Sequence, residues 1–135
     1  MEGWSESLAA EMACFGVRVL VVEPGGFRTN FQAAVTASEG SGDGEFVSEP
    51  YRGTPADEAA KRISGGHGKQ PGDPERAAKA IVEAVTGSGR GKDVDGCLRL
   101  PLGKDAVQRA ETKIKTFQEN VEQTRHIAEW TVFDT

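Results

Sequence analysis

Histidine, cysteine and tyrosine, which often carry out acid–base, nucleophilic or metal chemistry, are rare in this sequence. The 135-residue chain contains two His, two Cys and one Tyr. His67 and His126 have no metal-ligand spacing around them, so no metal centre is predicted. Cys14 and Cys97 are too few and too far apart for a disulfide scaffold or a zinc site. We interpret both cysteines as reduced, inert thiols.

The glycine-rich segments are poor candidates for binding nucleotide phosphates. A phosphate-binding turn needs its glycines between a strand and the N-terminus of a helix. The glycines of residues 40–44 follow no predicted strand, and those of residues 87–91 trail a helix. Lys92 is followed by Asp93, so the Ser or Thr of a Walker-type loop is missing. Neither segment is predicted to hold a nucleotide.

The charge and hydropathy patterns exclude two classes of partner. The chain has 16 Lys+Arg against 21 Asp+Glu, a net charge of −5. Nucleic-acid binding needs concentrated basic residues, so it is not expected. No apolar run approaches the ~20 residues of a membrane span. The first residues lack the basic start and apolar core of a signal peptide, which predicts a cytoplasmic protein.

The first third of the chain has the pattern of a helix, a strand and a turn. Gly16 is placed to end the helix in a left-handed conformation. The β-branched run Val17–Val22 has almost no polar interruption, as in strands covered on both faces of a parallel sheet. Pro24, Gly25 and Gly26 then predict a turn. The predicted helix carries its apolar residues at helical spacing: Trp4, Leu8, Met12 and Phe15.

The last half predicts two further helices and one strand. Asp73-Pro74-Glu75 is a strong helix start, and Gly87 ends that helix. Its predicted buried stripe is Ala78, Ile81, Val82 and Val85. Residues 97–102 alternate like a strand, which Pro101 confines to a sheet edge. The last helix is predicted from Asp105 to Glu129. Its apolar residues recur at three-four spacing, which favours packing on the sheet or on a sister subunit over a free coiled coil: Val107, Ala110, Ile114, Phe117 and Val121.

The middle of the chain is predicted to be rich in loops. Eleven of the 17 glycines fall between Gly40 and Gly91, and residues 39–58 hold six acids and one base. A long irregular connection within a compact domain is usually either functional or disordered.

Three consecutive segments resemble the short-chain dehydrogenase/reductase family: Ser5–Glu11, Phe15–Val19 and Val22–Thr29, the last matching P-G-x-x-x-T. The match is to the region that follows the catalytic Y-x-x-x-K of the family, and residues 67–74 and 98–105 resemble a subgroup of these enzymes. The resemblance implies an α/β fold, the C-terminal part of a Rossmann-like doubly wound parallel sheet with two strands and about three main helices. It divides the partial domain into residues 1–29, a substrate-loop region at 30–72, and residues 73–135.

The resemblance also implies which site residues are present and which are missing. Family members use Tyr, Lys and Ser for catalysis, but Tyr51 is followed four residues later by Pro55 rather than by Lys. No catalytic residue is therefore assigned. The family's cofactor is NAD or NADP, and by matching to the motif four positions would line it: Pro24, Gly25, Phe27 and Thr29. The alternative for them is an ordinary strand-ending turn and, for Thr29, a helix N-cap.

The aromatic residues of the substrate-loop region have two interpretations. By the resemblance, they line a pocket for a small carbonyl or alcohol substrate; otherwise they only anchor the loop. The residues concerned are Phe31, Phe46 and Tyr51.

Three hypotheses about function remain open. The first is a fragment of an NAD(P)-dependent oxidoreductase, inactive as this chain alone and with weak or no cofactor binding. The second is a non-enzymatic interaction module that oligomerises with a full-length reductase through the first helix, the helix at Pro74 and the last strand. The third is a split enzyme whose partner chain supplies the missing half. The resemblance implies that the complete enzyme is a homo-oligomer. For the isolated chain we expect marginal stability and exposed hydrophobic surface.

Overall fold

A computed structural model describes residues 2–31, 33–34, 47–66 and 68–133. Phe46 and His67, both singled out above, lie outside the described residues. The chain forms two compact units: Met1–Gly25 with Cys97–Thr135, and Gly26–Gly96. The named elements are α1 (Glu2–Met12), β1 (Val21–Pro24), α2 (Pro55–Gly65), α3 (Pro74–Thr86), β2 (Arg99–Leu102) and α4 (Lys104–Trp130).

Helix α1 ends as predicted. A 3-10 turn over Ala13–Phe15 prolongs it, and Gly16 closes it with φ 69° and a bond from its N–H to the Ala13 carbonyl. The predicted apolar face is only partly covered within the first unit. Leu8 and Met12 are half-buried, whereas Trp4 and Phe15 are 69% and 74% exposed. The expected exposure of apolar surface is therefore confirmed at both ends of this helix.

The two strands pair in parallel, which confirms the predicted sheet type. Val21 lies opposite Arg99 and Pro24 lies opposite Leu102. The predicted bounds of the first strand, 17–22, were wrong. Since β2 begins at Arg99, residues 17–20 have no ladder partner among the described residues. The ladder instead continues past Pro24, because the Gly25 N–H donates to the Leu102 carbonyl at 2.8 Å.

Pro101 occupies the position that a strand proline requires. The carbonyls of Leu98 and Leu102 accept bonds from β1, at 2.7 Å from the Val21 N–H and 2.8 Å from the Gly25 N–H. Backbone groups alternate between the two edges of a strand. The nitrogen of Pro101 therefore faces away from β1, where its missing N–H breaks no bond.

Helix α3 starts and stops as predicted, but its buried face was predicted wrongly in part. The Asp73 carboxylate accepts bonds from the backbone N–H groups of Glu75 and Arg76, and Gly87 ends the helix with φ 64°. Ala84 is buried and Ile81 half-buried. The other three residues of the predicted stripe, Ala78, Val82 and Val85, are exposed.

The buried side of α3 is set by a glycine turn. A β-carbon at Gly91 would collide with the Glu83 carbonyl carbon, at 2.3 Å, and with the Ala84 nitrogen, at 2.5 Å. The short turn Gly89–Gly91 therefore lies directly on the backbone of α3. This contact centres the covered face on Ala84, and Ala78, Val82 and Val85, which point to other sides of the helix axis, stay exposed.

Helix α2 was missed in the region predicted to be loop. Thr54 precedes it, Pro55 is its first residue, and Asp57 and Glu58 lie in its first turn. These are the same start signals that identified α3.

Helix α4 matches its predicted bounds within one residue at each end. Asp105, Ala106 and Ala110 are half-buried, and the helix contacts β2. Every described residue after Ala110 is exposed. Among the described helices, none combines the length and the apolar character needed to cross a membrane.

Candidate cofactor-binding turn

In the first unit, Pro24 and Gly25 sit at the carboxyl end of β1. Pro24 is exposed and Gly25 is half-buried. The Gly25 backbone is held from two sides, by its bond to the Leu102 carbonyl and by the Asp105 carboxylate, which fills the space of a β-carbon. The carboxyl ends of parallel strands are where open α/β sheets bind ligands.

In the second unit, the following residues pair with the segment that leads into α3. The Gly72 N–H donates to the Gly26 carbonyl at 2.9 Å, and the Arg28 N–H donates to the Gly72 carbonyl at 3.0 Å. The side chain of Arg28 adds a bond from Nε to the Gln70 carbonyl at 2.7 Å. The ring of Phe27 lies against Gly72, so close that a β-carbon there would overlap it. Residues 26–28 are thereby fixed to residues 70–72.

This pairing leaves two hydrogen-bond donors available in the candidate turn. The Phe27 carbonyl accepts from the Thr29 N–H at 3.0 Å, but the Phe27 N–H donates to no described residue. The Thr29 hydroxyl oxygen accepts from the Phe31 N–H at 3.3 Å. A hydroxyl that accepts a bond still has its own proton to donate. The Thr29 hydroxyl thus makes the bond expected of a helix N-cap, and it still has a proton to donate to a ligand.

The same pairing closes the base of the predicted substrate-loop region. Residues 26–28 directly precede this region, and residues 70–72 are its last three residues, so the pairing brings its two ends together. Phe31 is 70% exposed, and Tyr51 is 57% exposed at the end of a 3-10 turn over Glu49–Tyr51.

A buried carboxylate within this region was not predicted from the sequence. Asp57 accepts a bond from the Gly53 N–H at 2.8 Å and forms an ion pair with Lys61 at 2.9 Å. The Gly53 bond, helped by Lys61, holds the pKa of Asp57 below its usual range. Asp57 raises the pKa of Lys61 in turn. The arrangement ties the Tyr51–Thr54 turn to the first turn of α2.

A second missed feature is the acidic cluster around Arg99, in the first unit. The guanidinium of Arg99 contacts Glu6 at 2.7 Å, Glu23 at 2.5 Å and Glu2 at 3.0 Å. These bonds raise the pKa of Arg99, Glu6 most of all. The cluster joins α1, β1 and β2 through one side chain. Its sequence signal was the pair Glu2 and Glu6, which lie one turn apart on one helix face.

The remaining candidates carry no metal or disulfide chemistry in the described chain. Cys14 and Cys97 are exposed free thiols. Within the described ranges, no group of three His, Cys, Asp or Glu is arranged to hold a metal ion.

Comparison with known proteins connects this geometry to a family. A short-chain dehydrogenase from Streptomyces avermitilis superposes with a TM-score of 0.69 and 32% sequence identity over 98% of this chain. The chain belongs to the short-chain dehydrogenase/reductase family. It matches a C-terminal portion of that fold, which confirms both the resemblance and the predicted fold class. No protein-family model matches the chain.

Two curated relatives of this chain are also named as oxidoreductases. Oxidoreductase BOA17 of Botryotinia fuckeliana is 29% identical over 93% of this chain. The uncharacterized oxidoreductase YusZ of Bacillus subtilis is 29% identical over 77% of it. The chain spans 41% and 34% of these relatives, and 43% of the Streptomyces protein. It is thus less than half as long as each of them.

Proposed function

We propose that this chain is part of an NAD(P)-dependent short-chain oxidoreductase that interconverts a small carbonyl compound and its alcohol. In the complete enzyme it contributes one wall of the nicotinamide site and the substrate loop. The observation that carries the proposal is the pair of donors in the turn after β1, the Phe27 N–H and the Thr29 hydroxyl. A nicotinamide carboxamide or a phosphate offers the acceptor oxygens that such donors bind.

The chain's residues fit one end of the cofactor and leave the rest unsupported. By the family motif, Pro24 and Gly25 of the first unit and Phe27 and Thr29 of the second would contact the nicotinamide, the last two with one hydrogen-bond donor each. Gly103 opens α4 directly after β2, but it is a single glycine, whereas a turn that binds a pyrophosphate carries several. When bound, the nicotinamide would supply or accept the hydride. The residues of this chain would only position it, because none matches the family's catalytic Tyr and Lys.

We infer that the 135-residue chain is inactive by itself. Without a positioned general acid, a carbonyl oxygen receives no proton as hydride arrives. The test is to incubate the purified chain with NADH or NADPH and a panel of aldehydes and ketones, following absorbance at the nicotinamide band. We expect no turnover above that of a heat-denatured sample. Cofactor-dependent turnover by the chain would contradict the proposed inactivity.

The cofactor wall is tested separately by NMR titration with NADH. We expect weak binding, with a Kd of the order of 1 mM, and backbone amide shifts at Phe27 and Thr29. Thr29→Ala should reduce the affinity. Thr86→Ala is the matched control, since the Thr86 hydroxyl is occupied at the end of α3 by the Val82 carbonyl. Shifts confined to residues outside 24–29 would overturn the assignment.

A second candidate function is an interaction module that assembles with a full-length reductase. The observation in its favour is the apolar surface left exposed on α1 and α3, at Trp4, Val82 and Val85. Co-expression with a complete short-chain reductase, followed by purification through a tag on the short chain, tests it. Recovery of a mixed complex that Val82→Asp and Val85→Asp abolish would support the module, and independent purification of the two chains would refute it.

A further inference from the structure

The outer part of α4 carries a narrow apolar seam on an otherwise polar helix. Between Glu111 and His126 only Ile114, Phe117 and Val121 are apolar. They are 57%, 65% and 41% exposed. The face of a helix that packs on a globular core is wider than this, whereas a strict three-four seam is the form used between paired helices. The seam therefore calls for another helix as its partner.

The seam follows a heptad register from Val107 to Val121, and Thr124 interrupts it at the next d position. In that register, Val107, Ile114, Val121 and Ala128 occupy the a positions, and Ala110, Phe117 and Thr124 occupy the d positions. Glu111, Gln118 and Arg125 are then e residues, and Lys113, Asn120 and Ile127 are g residues. Residues at e and g decide partner and orientation, because they meet across the seam.

The flanking charges favour antiparallel pairing of two copies. With Phe117 of one copy against Val121 of the other, the e residues Glu111 and Arg125 face each other twice in the dimer. The g residues then place Lys113 beside Ile127, with no like charges opposed. A parallel pair would instead set Lys113 against Gln118 and Asn120 against Arg125, which forms no ion pair. Charge complementarity thus selects the antiparallel arrangement.

We propose that α4 is a self-association surface, and that its occupant is α4 of a second copy of this chain in antiparallel orientation. Phe117 and Val121 form the centre of the pair and Glu111 and Arg125 flank it. The seam shares no residue with the candidate cofactor-binding turn or with the exposed residues of α1 and α3. The self-association proposal can therefore be tested independently of the proposed enzymatic function.

Charge exchange along the seam provides the first test. The full 135-residue chain is studied by sedimentation equilibrium. We expect a dimer, with Glu111→Arg and Arg125→Glu each weakening it by about three- to ten-fold, since each places like charges opposite each other twice. The double variant should return to within about two-fold of wild type. Glu119→Arg, on the opposite face of α4, makes the same charge change outside the seam and should leave the Kd unchanged.

Spin-label distances provide the second test, in a chain whose Cys14 and Cys97 are replaced by Ser. Labels are placed at Thr112→Cys or Glu119→Cys, two f positions seven residues apart. Antiparallel pairing about residue 119 places the two 119 labels at the same height on the outer faces of the pair and offsets the 112 labels by about 21 Å along the axis, so the distance between the 112 labels should be the longer. Equal distances at both label positions would overturn the proposal. So would sedimentation that shows a monomer or larger assemblies, or equal effects of Glu111→Arg and Glu119→Arg on the dimer.

Discussion

The Asp105 carboxylate occupies the space in which a β-carbon on Gly25 would lie. Gly25 follows β1, and Asp105 is in the first turn of the helix that follows β2. The contact therefore joins the segments that leave the two strands. Asp105 also forms an ion pair with Arg109, one turn along α4. Packing within the first unit thus requires glycine at position 25, whether or not a cofactor binds beside it.

The first prediction concerns Gly25→Ala. The added methyl group must displace the Asp105 carboxylate, and overpacking of this kind costs about 1–3 kcal/mol. We expect the free energy of unfolding, measured in urea, to fall by that amount. Asp105→Ala in the same chain should recover most of the loss by vacating the space. The matched control is Gly3→Ala, because Gly3 has no atom within 4 Å of its β-carbon position and lies in α1. An equal loss in both variants would contradict the steric explanation.

A larger effect is expected for Gly91→Ala, in the second unit. Its β-carbon would meet the backbone of Glu83 and Ala84 rather than the end of a side chain. A helix backbone cannot move aside without losing its own hydrogen bonds, so the loss should lie toward the upper end of about 1–3 kcal/mol. Gly65→Ala, in α2 with open space around it, is the control and should be neutral or stabilising. Wild-type stability of Gly91→Ala would show that the turn does not lie on α3.

The third prediction concerns the cluster of carboxylates around Arg99. Arg99→Met leaves Glu2, Glu6 and Glu23 close together without their shared cation, so the thermal midpoint should fall. Arg99→Lys should recover little, because an ammonium group lacks the planar fork of donors that reaches several carboxylates at once. Arg76→Met is the control, since the Arg76 side chain is 89% exposed and its ion-pair partner among the described residues is Asp73 alone. The difference in thermal midpoint between Arg99→Met and wild type should become smaller in 1 M salt. A difference that does not depend on salt would contradict an electrostatic origin.

The fourth prediction is a pH dependence that Asp57 imposes on stability. Its pKa in the folded chain lies below the unfolded value of about 3.9. The ionised carboxylate therefore contributes stability that is complete above about pH 4 and is lost as pH falls through the folded pKa. Urea unfolding at pH 7 should show that Asp57→Asn has a lower free energy of unfolding than wild type. This gap in free energy between the two chains should close on acidification. Glu58→Gln, a neighbouring exposed carboxylate, should show no such gap. A gap that stays constant from pH 7 to pH 3 would refute the assignment.

Elements with local signals were predictable from the sequence. Asp73-Pro74 and Gly87 fixed both ends of α3, and Gly16 ended the first helix, because caps act within one turn of the chain. The bounds of β1 could not be predicted in the same way. They depend on where β2 begins, at Arg99, and no local pattern near Val21 contains that information. Helix α2 had adequate signals at Thr54 and Pro55, which the surrounding glycines and acids obscured.

The candidate site was predictable only as a sequence motif. The order Pro24, Gly25, Phe27, Thr29 indicated the turn, but its support comes from Gly72 and Asp105, which lie far away in the chain. The wrong buried residues of α3, Val82 and Val85, have a similar cause. That helix has apolar residues around much of its circumference, so the glycine turn at Gly91, and not periodicity, decides which side is covered.

The order in which a ribosome makes this chain has a consequence for its sheet. Val21 pairs with Arg99, and the whole of the Gly26–Gly96 unit is synthesised between them. Contacts within that unit become possible before β2 exists, while β1 emerges early and has to wait for its partner. Closing a ladder over so many residues is slow, because the entropy of the intervening chain is lost first. During that interval the edge of β1 that β2 will cover has no ladder partner.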